Sequence, residues 1–273
     1  MMRRKARVAG YFYPATRDEI EETISGFGEP KGMGRPALGL VSPHAGYIYS
    51  GPVAAKVYSR VKVTGAVIMI GPNHGSNPAF TSPPPVAIMA SGEWELPSGN
   101  LSIESGLAEF LMEESTMIVD SPEAHADEHS LEVQAPFLTH YYGDVTIVPI
   151  LLARVSDESI LTLAEEIYRG IKRYGGSVTL LASTDFSHYV PHDFAKSQDR
   201  KAIDRIIALD GEGLLEVVRM ENISMCGAQP TAAVMEVCKK MGATKAELVA
   251  YQTSGDASHD YTSVVGYGGL IIR

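Results

Sequence analysis

Three histidines in this sequence follow short apolar runs within a few residues, a placement that suits metal binding or acid–base chemistry. Leu38 to Val41 leads into Ser42-Pro43-His44, and Ala66 to Ile70 leads into Gly71-Pro72-Asn73-His74. Val178 to Ala182 leads into Ser183-Thr184-Asp185-Phe186-Ser187-His188. Imidazole titrates near neutrality and is the commonest protein metal ligand. Pro43 and Pro72 stiffen the turns that present the first two rings. A fourth group, His125-Ala126-Asp127-Glu128-His129-Ser130, precedes a helical stretch through Leu131 and Gln134. Its acidic residues fit a helix N-terminus, where carboxylates offset the helix dipole, or else the polar wall of a pocket. His129, nearest the helix start, is the stronger site candidate there and His125 the weaker.

Cys226 lies in Met225-Cys226-Gly227-Ala228-Gln229-Pro230, before a helical run from Thr231 to Met241. A thiol at a helix N-terminus has its anionic form stabilised, which suits a metal ligand or a nucleophile. The competing reading is a small buried hydrophobe, the common state of free cysteine. Cys238 fits that second reading, since it continues an apolar face with Val234 and Met241. His140, His192 and His259 read as structural or exposed.

These groups must be positioned by alternating strands and helices. Besides the three apolar runs above, Thr146 to Leu152, Leu248 to Tyr251 and Val264 to Ile272 read as strands. Continuous apolar runs, rather than alternation, indicate strands covered on both faces. Between them Ile160, Leu163, Ala164, Ile167, Tyr168 and Ile171 share one helix face after a cap at Ser156. Thr16 and Glu19 have capping-box spacing before Ile20 and Ile24. Val86 to Leu96 reads as a hairpin. Gly26 to Pro36 and Ser82 to Pro85 read as loops too short to separate two cores, so residues 1–273 are expected to form one domain. The pattern predicts a single-domain layered α/β fold with a central, mostly parallel or mixed sheet flanked by helices. In such sheets ligands bind beyond the carboxyl ends of the strands. That places His44, His74 and His188 on one rim.

The 273 residues are 45% hydrophobic, and 23 Lys and Arg against 33 Asp and Glu give a formal charge of −10. This acidity argues against a nucleic-acid surface. The cluster Arg3, Arg4, Lys5 and Arg7 reads as a solvated end. Two cysteines make no disulfide framework, and no apolar run reaches the ~20 residues of a membrane span. A cytoplasmic protein is expected. No Walker loop or GxGxxG follows a strand, so no nucleotide cofactor is expected. The absence of GxSxG leaves an α/β-hydrolase serine mechanism without support.

Read in order, the motifs resemble a known family. They are Ala9-Gly10-Tyr11-Phe12-Tyr13-Pro14, Ser42-Pro43-His44-Ala45-Gly46-Tyr47, Gly71-Pro72-Asn73-His74 and Asp127-Glu128-His129-Ser130. Ser183-Thr184-Asp185-Phe186-Ser187-His188, Cys226-Gly227 and Val265-Gly266-Tyr267 complete the set. Together they resemble the Memo-like family, also called AmmeMemoRadiSam system protein B, across essentially the whole chain. The resemblance implies a fold shared with LigB-type extradiol dioxygenases, whose non-haem iron is held by two histidines and a carboxylate. In the Memo-like pattern the two histidines match His44 and His74, while Cys226 stands where the carboxylate would be. Asp185, His188 and His129 match further pocket residues. The resemblance therefore implies iron or copper, with zinc as a further option, and association with AMMECR-type and radical-SAM proteins. Thiolate in place of carboxylate shifts preference towards softer ions, so ring cleavage is not expected.

Three functions are open at this point. The first is a redox metalloprotein, an oxidoreductase holding its ion on His44, His74 and Cys226. In it His188 is the acid or base oriented by Asp185, and His129 hydrogen-bonds substrate or dioxygen. The second is a hydrolase using zinc in the same site, or Cys226 as a thiol nucleophile. The third is a non-catalytic protein- or ligand-binding module. There Phe12, Tyr47 and Tyr49 form an aromatic surface, although core packing is expected for most of them.

Overall fold

Side chains alternate along the strand Ala66–Pro72 between two separate cores, which explains its unbroken apolar run. Ile68 and Ile70 face one core, Val67 and Met69 the other, and all four are fully buried. The computed structural model describes residues 2–32, 34–75, 84–153 and 155–273.

Among the described residues, nine strands form the main sheet. Four parallel strands make its centre, in the order Gly39–Ser42, Val178–Ser183, Ala66–Pro72 and Ile147–Leu152. Val264–Ile272 runs antiparallel beside Gly39–Ser42 and pairs in turn with Ala246–Thr253 and His188–Val190. At the far side Val86–Ile88 lies antiparallel to Ile147–Leu152 and carries Ile118–Asp120 on its free edge. The sheet is mixed, with helices on both faces. Ser105–Glu114, Asp157–Tyr174 and Ala228–Lys240 contribute to the first core. Arg17–Gly26, Tyr47–Arg60 and Ala135–Tyr142 contribute to the second.

Local signals explain where the helices begin. Thr16 accepts from the Glu19 N–H, and its hydroxyl donates to the Glu19 carboxylate at 2.7 Å, which holds the cap in place. Ser156 accepts from the Ser159 N–H, and the helix closes on Gly175 in the left-handed region at φ 71°. Buried Ile160, Leu163, Ala164, Ile167 and Ile171 form its inner face.

Two expectations are corrected. Val86 to Leu96 is not a hairpin. Val86–Ile88 covers the edge of Ile147–Leu152, whereas Glu93–Glu95 turns away to join Arg3–Lys5 and Leu101–Ser102 in a three-stranded sheet. Gly92 makes the turn at φ +111°, where a Cβ would lie 2.3 Å from the Met2 carbonyl oxygen. Each half finds a better partner than the other half. Of the basic cluster at the start, Arg3, Lys5 and Arg7 are exposed as expected, but Arg4 is not solvated: it is 5% exposed and pairs with fully buried Glu132 at 2.8 Å. Of the expected loop Ser82 to Pro85, Ser82 and Pro83 lie outside the described residues.

Candidate metal centre

The parallel strands end level with one another, because Ser42 pairs with Ser183 and Ala182 with Ile70. Their exits therefore leave the sheet side by side and deliver His44, Asp185 and His74 to one place. The segment after Pro122–His125 crosses this rim and adds His129. It sits close because Gly71 carries no side chain: a Cβ there would lie 2.7 Å from Leu131 Cδ2. Ser130 Oγ donates to the Pro72 carbonyl at 2.8 Å and fixes the crossing.

The result is a cluster of imidazoles. Ligand nitrogens of His44, His74 and His129 lie within 4.8 Å of one another. Ring centroids are 4.7 Å apart for His74 and His129, which stack, and 5.5 and 5.6 Å from His44, which meets both edge-on. Two nitrogens bound to one ion at ~2.1 Å are ~3–4 Å apart, so closure needs ring movements of only about 1 Å. A set of imidazoles suits zinc, copper, iron or nickel. The donor set fits a transition-metal ion.

Glu128 organises this cluster, although the sequence offered it only as part of an acidic patch. It is 3% exposed. One carboxylate oxygen accepts the His74 backbone N–H at 2.6 Å. The other accepts His74 Nδ1–H at 2.9 Å and the Ser130 N–H at 2.8 Å. Burial acts to raise the Glu128 carboxyl, but the hydrogen bond and charge of His74, with His129 beside it, outweigh burial and hold it at about 2. His74 shows the converse. Burial pulls its imidazolium down, yet the Glu128 carboxylate more than offsets this and leaves its pKa raised. Burial lowers His44 well below its ordinary range, with His129 and His74 adding to the effect. Burial likewise lowers His129. Neutral imidazoles are the form that can bind an ion.

Cys226 stands next to this cluster. Its Sγ is 3.4 Å from His44 Nε2 and accepts the Asp185 N–H at 3.3 Å. The thiol precedes the helix Ala228–Lys240, but the expected anionic form does not follow. Burial pushes its pKa well up, and the Asp185 carboxylate pushes it further. Gly227 allows the close approach, since a Cβ there would lie 2.4 Å from Thr184 Cβ.

Asp185 is 4% exposed and its Oδ1 accepts the His44 backbone N–H at 2.8 Å. His188 is oriented by Ser224 instead: its Nδ1 donates to the Ser224 carbonyl at 2.8 Å, and its backbone N–H donates to Ser224 Oγ at 2.7 Å. No hydrogen bond joins Asp185 to His188.

The remaining candidates sort by burial. His125 is 1% exposed, with Nε2 3.2 Å from the Ala87 carbonyl. His140 pairs with Glu21 at 2.8 Å, His192 contacts Thr253 Oγ1 at 2.9 Å, and His259 is exposed. Tyr47 is a core residue whose hydroxyl donates to the Val133 carbonyl. Phe12 packs on the His129 ring at 4.7 Å, and Tyr49 is partly exposed. Cys238 is fully buried in the first core. Ser183 and Gln134, which contact His44 and its loop, stood in the sequence only as parts of a motif and of a helical stretch, with no role of their own.

The profile of the family described as "Memo-like protein" matches residues 4–271. A MEMO1 family protein of Methanopyrus kandleri is 42% identical over 294 residues, covering 100% of this chain and 99% of that protein. Another from Pyrobaculum arsenaticum is 41% identical over 99% of both chains. The crystal structure of an uncharacterized Escherichia coli K12 protein superposes with a TM-score of 0.58 at 12% identity, covering 85% of this chain and 98% of that one. At that identity the likeness concerns the fold alone. Among the described residues, no helix is long and apolar enough to cross a membrane.

Proposed function

The chain belongs to the Memo-like family, and we propose that its strand-end pocket binds a transition-metal ion on His44, His74 and His129 and serves an oxidoreductase reaction on a small molecule. The observation that carries this reading is the convergence of three imidazoles, two of them held neutral by burial. Iron or copper is the proposed ion, because the Cys226 thiol stands 3.4 Å from His44 Nε2, within reach as a further, softer ligand. When bound, such an ion would supply one-electron or Lewis-acid chemistry to a ligand at its open positions.

The chain's own residues do the rest. Glu128 keeps the proton of His74 on Nδ1 and so turns the other ring nitrogen towards the pocket. His188 donates through Nδ1 to Ser224, which leaves its Nε2 to accept or return a substrate proton. Asp185 holds the His44 and Cys226 loops together through Oδ1 and its main chain. Phe12 gives His129 an apolar cover.

The test is elemental analysis of protein prepared without oxygen and reconstituted with iron or copper, beside the His44→Ala, His74→Ala double variant. An anomalous-scattering map of the wild type then names the ion. Wild type should hold about one ion per chain and the variant almost none. Equal, negligible metal in both would end the reading.

A zinc hydrolase is the second reading, favoured by the same three imidazoles, since three protein ligands with water in the fourth position are the catalytic zinc arrangement. It requires turnover without oxygen and loss of activity on chelation. Oxygen uptake that tracks substrate consumption rules it out. Partners of the AMMECR and radical-SAM classes are proposed from the family resemblance alone, and a cytoplasmic location from the sequence composition.

A further inference from the structure

We propose that Ser183 and Gln134 are positioning residues that lock the His44 imidazole in a single tautomer, protonated on Nδ1, so that the Nε2 lone pair faces the pocket. The argument is a count of protons. Ser183 Oγ touches three groups: His44 Nδ1 at 2.9 Å, Gln134 Nε2 at 2.8 Å and the Ser130 carbonyl at 2.6 Å. A hydroxyl has one proton and two lone pairs.

The orientation of Gln134 is fixed by its other neighbours. The Tyr58 hydroxyl donates to Oε1 at 2.8 Å. The opposite atom faces the carbonyls of Pro43 at 2.9 Å and Ser42 at 3.4 Å, which can only accept. That atom is therefore the amide nitrogen, and it donates to Ser183 Oγ. The Ser130 carbonyl also can only accept, so the single Ser183 proton goes there. One lone pair remains on Ser183, and the group facing it is His44 Nδ1. That nitrogen must donate.

The opposite tautomer has no good solution. Its bare Nδ1 would need the Ser183 proton, which would strand the Ser130 carbonyl. Ser183, Ser130 and Gln134 are fully buried and His44 is 2% exposed, so water does not repair the loss. An unsatisfied buried group of this kind biases the two forms by about tenfold or more. On the far side of the ring the arrangement is consistent: Nε2 faces Cys226 Sγ at 3.4 Å, where a thiol proton can be donated to it. Tyr58 extends the chain one step further from the pocket, so His44 is set by a relay running through the protein interior.

The lock belongs to the metal-free chain, while its use in binding rests on the metal reading above. The experiment separates the two. Imidazole 15N resonances of His44 are recorded by long-range proton correlation on metal-free protein at mildly alkaline pH. The expected wild-type result is a protonated Nδ1 and a bare Nε2, with little of the other form. Ser183→Ala should give a mixture of tautomers and bind zinc or cobalt about 10–100-fold more weakly. Ser183→Thr, which returns the hydroxyl, should restore the single form. A wild-type His44 protonated on Nε2, or an unchanged spectrum in Ser183→Ala, overturns the proposal. The wild-type spectrum decides even if the variants fail to fold. A wild type that shows the single tautomer but binds none of zinc, cobalt, iron and copper supports the lock while defeating the metal reading.

Discussion

Replacing Glu128 by glutamine tests how the candidate metal centre is held, because the side chain keeps its shape and loses its charge. The carboxyl sits at about 2 rather than its ordinary 4.5, which corresponds to roughly 3 kcal/mol of preference for the ionised form. Since the folded-state value is depressed, this stabilisation is fully present above pH ~4.5 and is lost as pH falls towards ~2. In Glu128→Gln the amide oxygen can replace the oxygen that accepts His74 Nδ1–H and the Ser130 N–H. The amide nitrogen must then face the His74 backbone N–H across a 2.6 Å contact, donor against donor. The expected cost at neutral pH is about 2–3 kcal/mol, or a fall in Tm of very roughly 4–12 °C for a domain of this size. Metal affinity should drop about 10–100-fold, because His74 loses the carboxylate that orients its ring. Thermal unfolding of the metal-free protein and a competitive metal titration measure the two effects separately. The control is Asp127→Asn, next in the chain, whose carboxylate meets exposed Arg7 and should contribute less than about 1 kcal/mol. A Glu128→Gln protein that binds metal within about twofold of wild type refutes the reasoning.

Other consequences are equally direct. Burial holds His125 at about 3, below the ~6.5 it has when unfolded. The unfolded chain therefore takes up a proton first, and stability falls as pH drops from ~6.5 towards ~3, by up to about 5 kcal/mol. His125→Leu should flatten that part of a plot of Tm against pH. Arg4→Met leaves buried Glu132 without its cation and should cost about 3–5 kcal/mol, whereas Lys5→Met, at the exposed neighbour, should leave chemical denaturation unchanged. Cys226→Ser should retain metal binding through the three imidazoles but change the visible spectrum and reduction potential of an iron or copper form. His129→Ala should abolish tight binding of either metal in the same titration.

What the sequence revealed follows from what each signal depends on. Strands covered on both faces, such as Ala66–Pro72 and Val178–Ser183, are legible because burial demands an unbroken apolar run. Helices with local caps at Thr16 and Ser156 are legible because the cap lies within four residues of what it satisfies. His44 and His74 were legible by their place after such strands. Glu128 was hidden because a carboxylate beside a helix start has an ordinary explanation, and only the fold brings His74 to it from 54 residues away. Arg4 was hidden for the same reason, its partner Glu132 being far along the chain. Ser183 and Gln134 are small or neutral polar residues whose types say nothing until their neighbours are known. Cys226 shows a different limit. Its position before a helix was read correctly, but its ionisation depends on burial, which outweighs the helix end.

The site is built so that it does not need an ion to exist. Each strand-end loop is pinned by a group from another loop, through its main chain. Asp185 takes the His44 N–H at 2.8 Å, Glu128 takes the His74 N–H at 2.6 Å, and the Cys226 N–H donates to the Asp185 carbonyl at 3.3 Å. Gln134 reaches the Pro43 carbonyl at 2.9 Å and Ser130 the Pro72 carbonyl at 2.8 Å. These bonds close without the imidazole nitrogens that would meet a metal. Metal binding should therefore add stability only by mass action, about 2.7 kcal/mol at a hundredfold excess over Kd, and should not drive folding as it does in small zinc-dependent domains. Amide exchange on metal-free protein measures this. The N–H groups of His44, His74 and Cys226 should stay protected without metal to nearly the same extent as with it. Rapid exchange at these three positions, restored to slow exchange by metal, would mean that the ion assembles the loops and that the pinning network is its consequence.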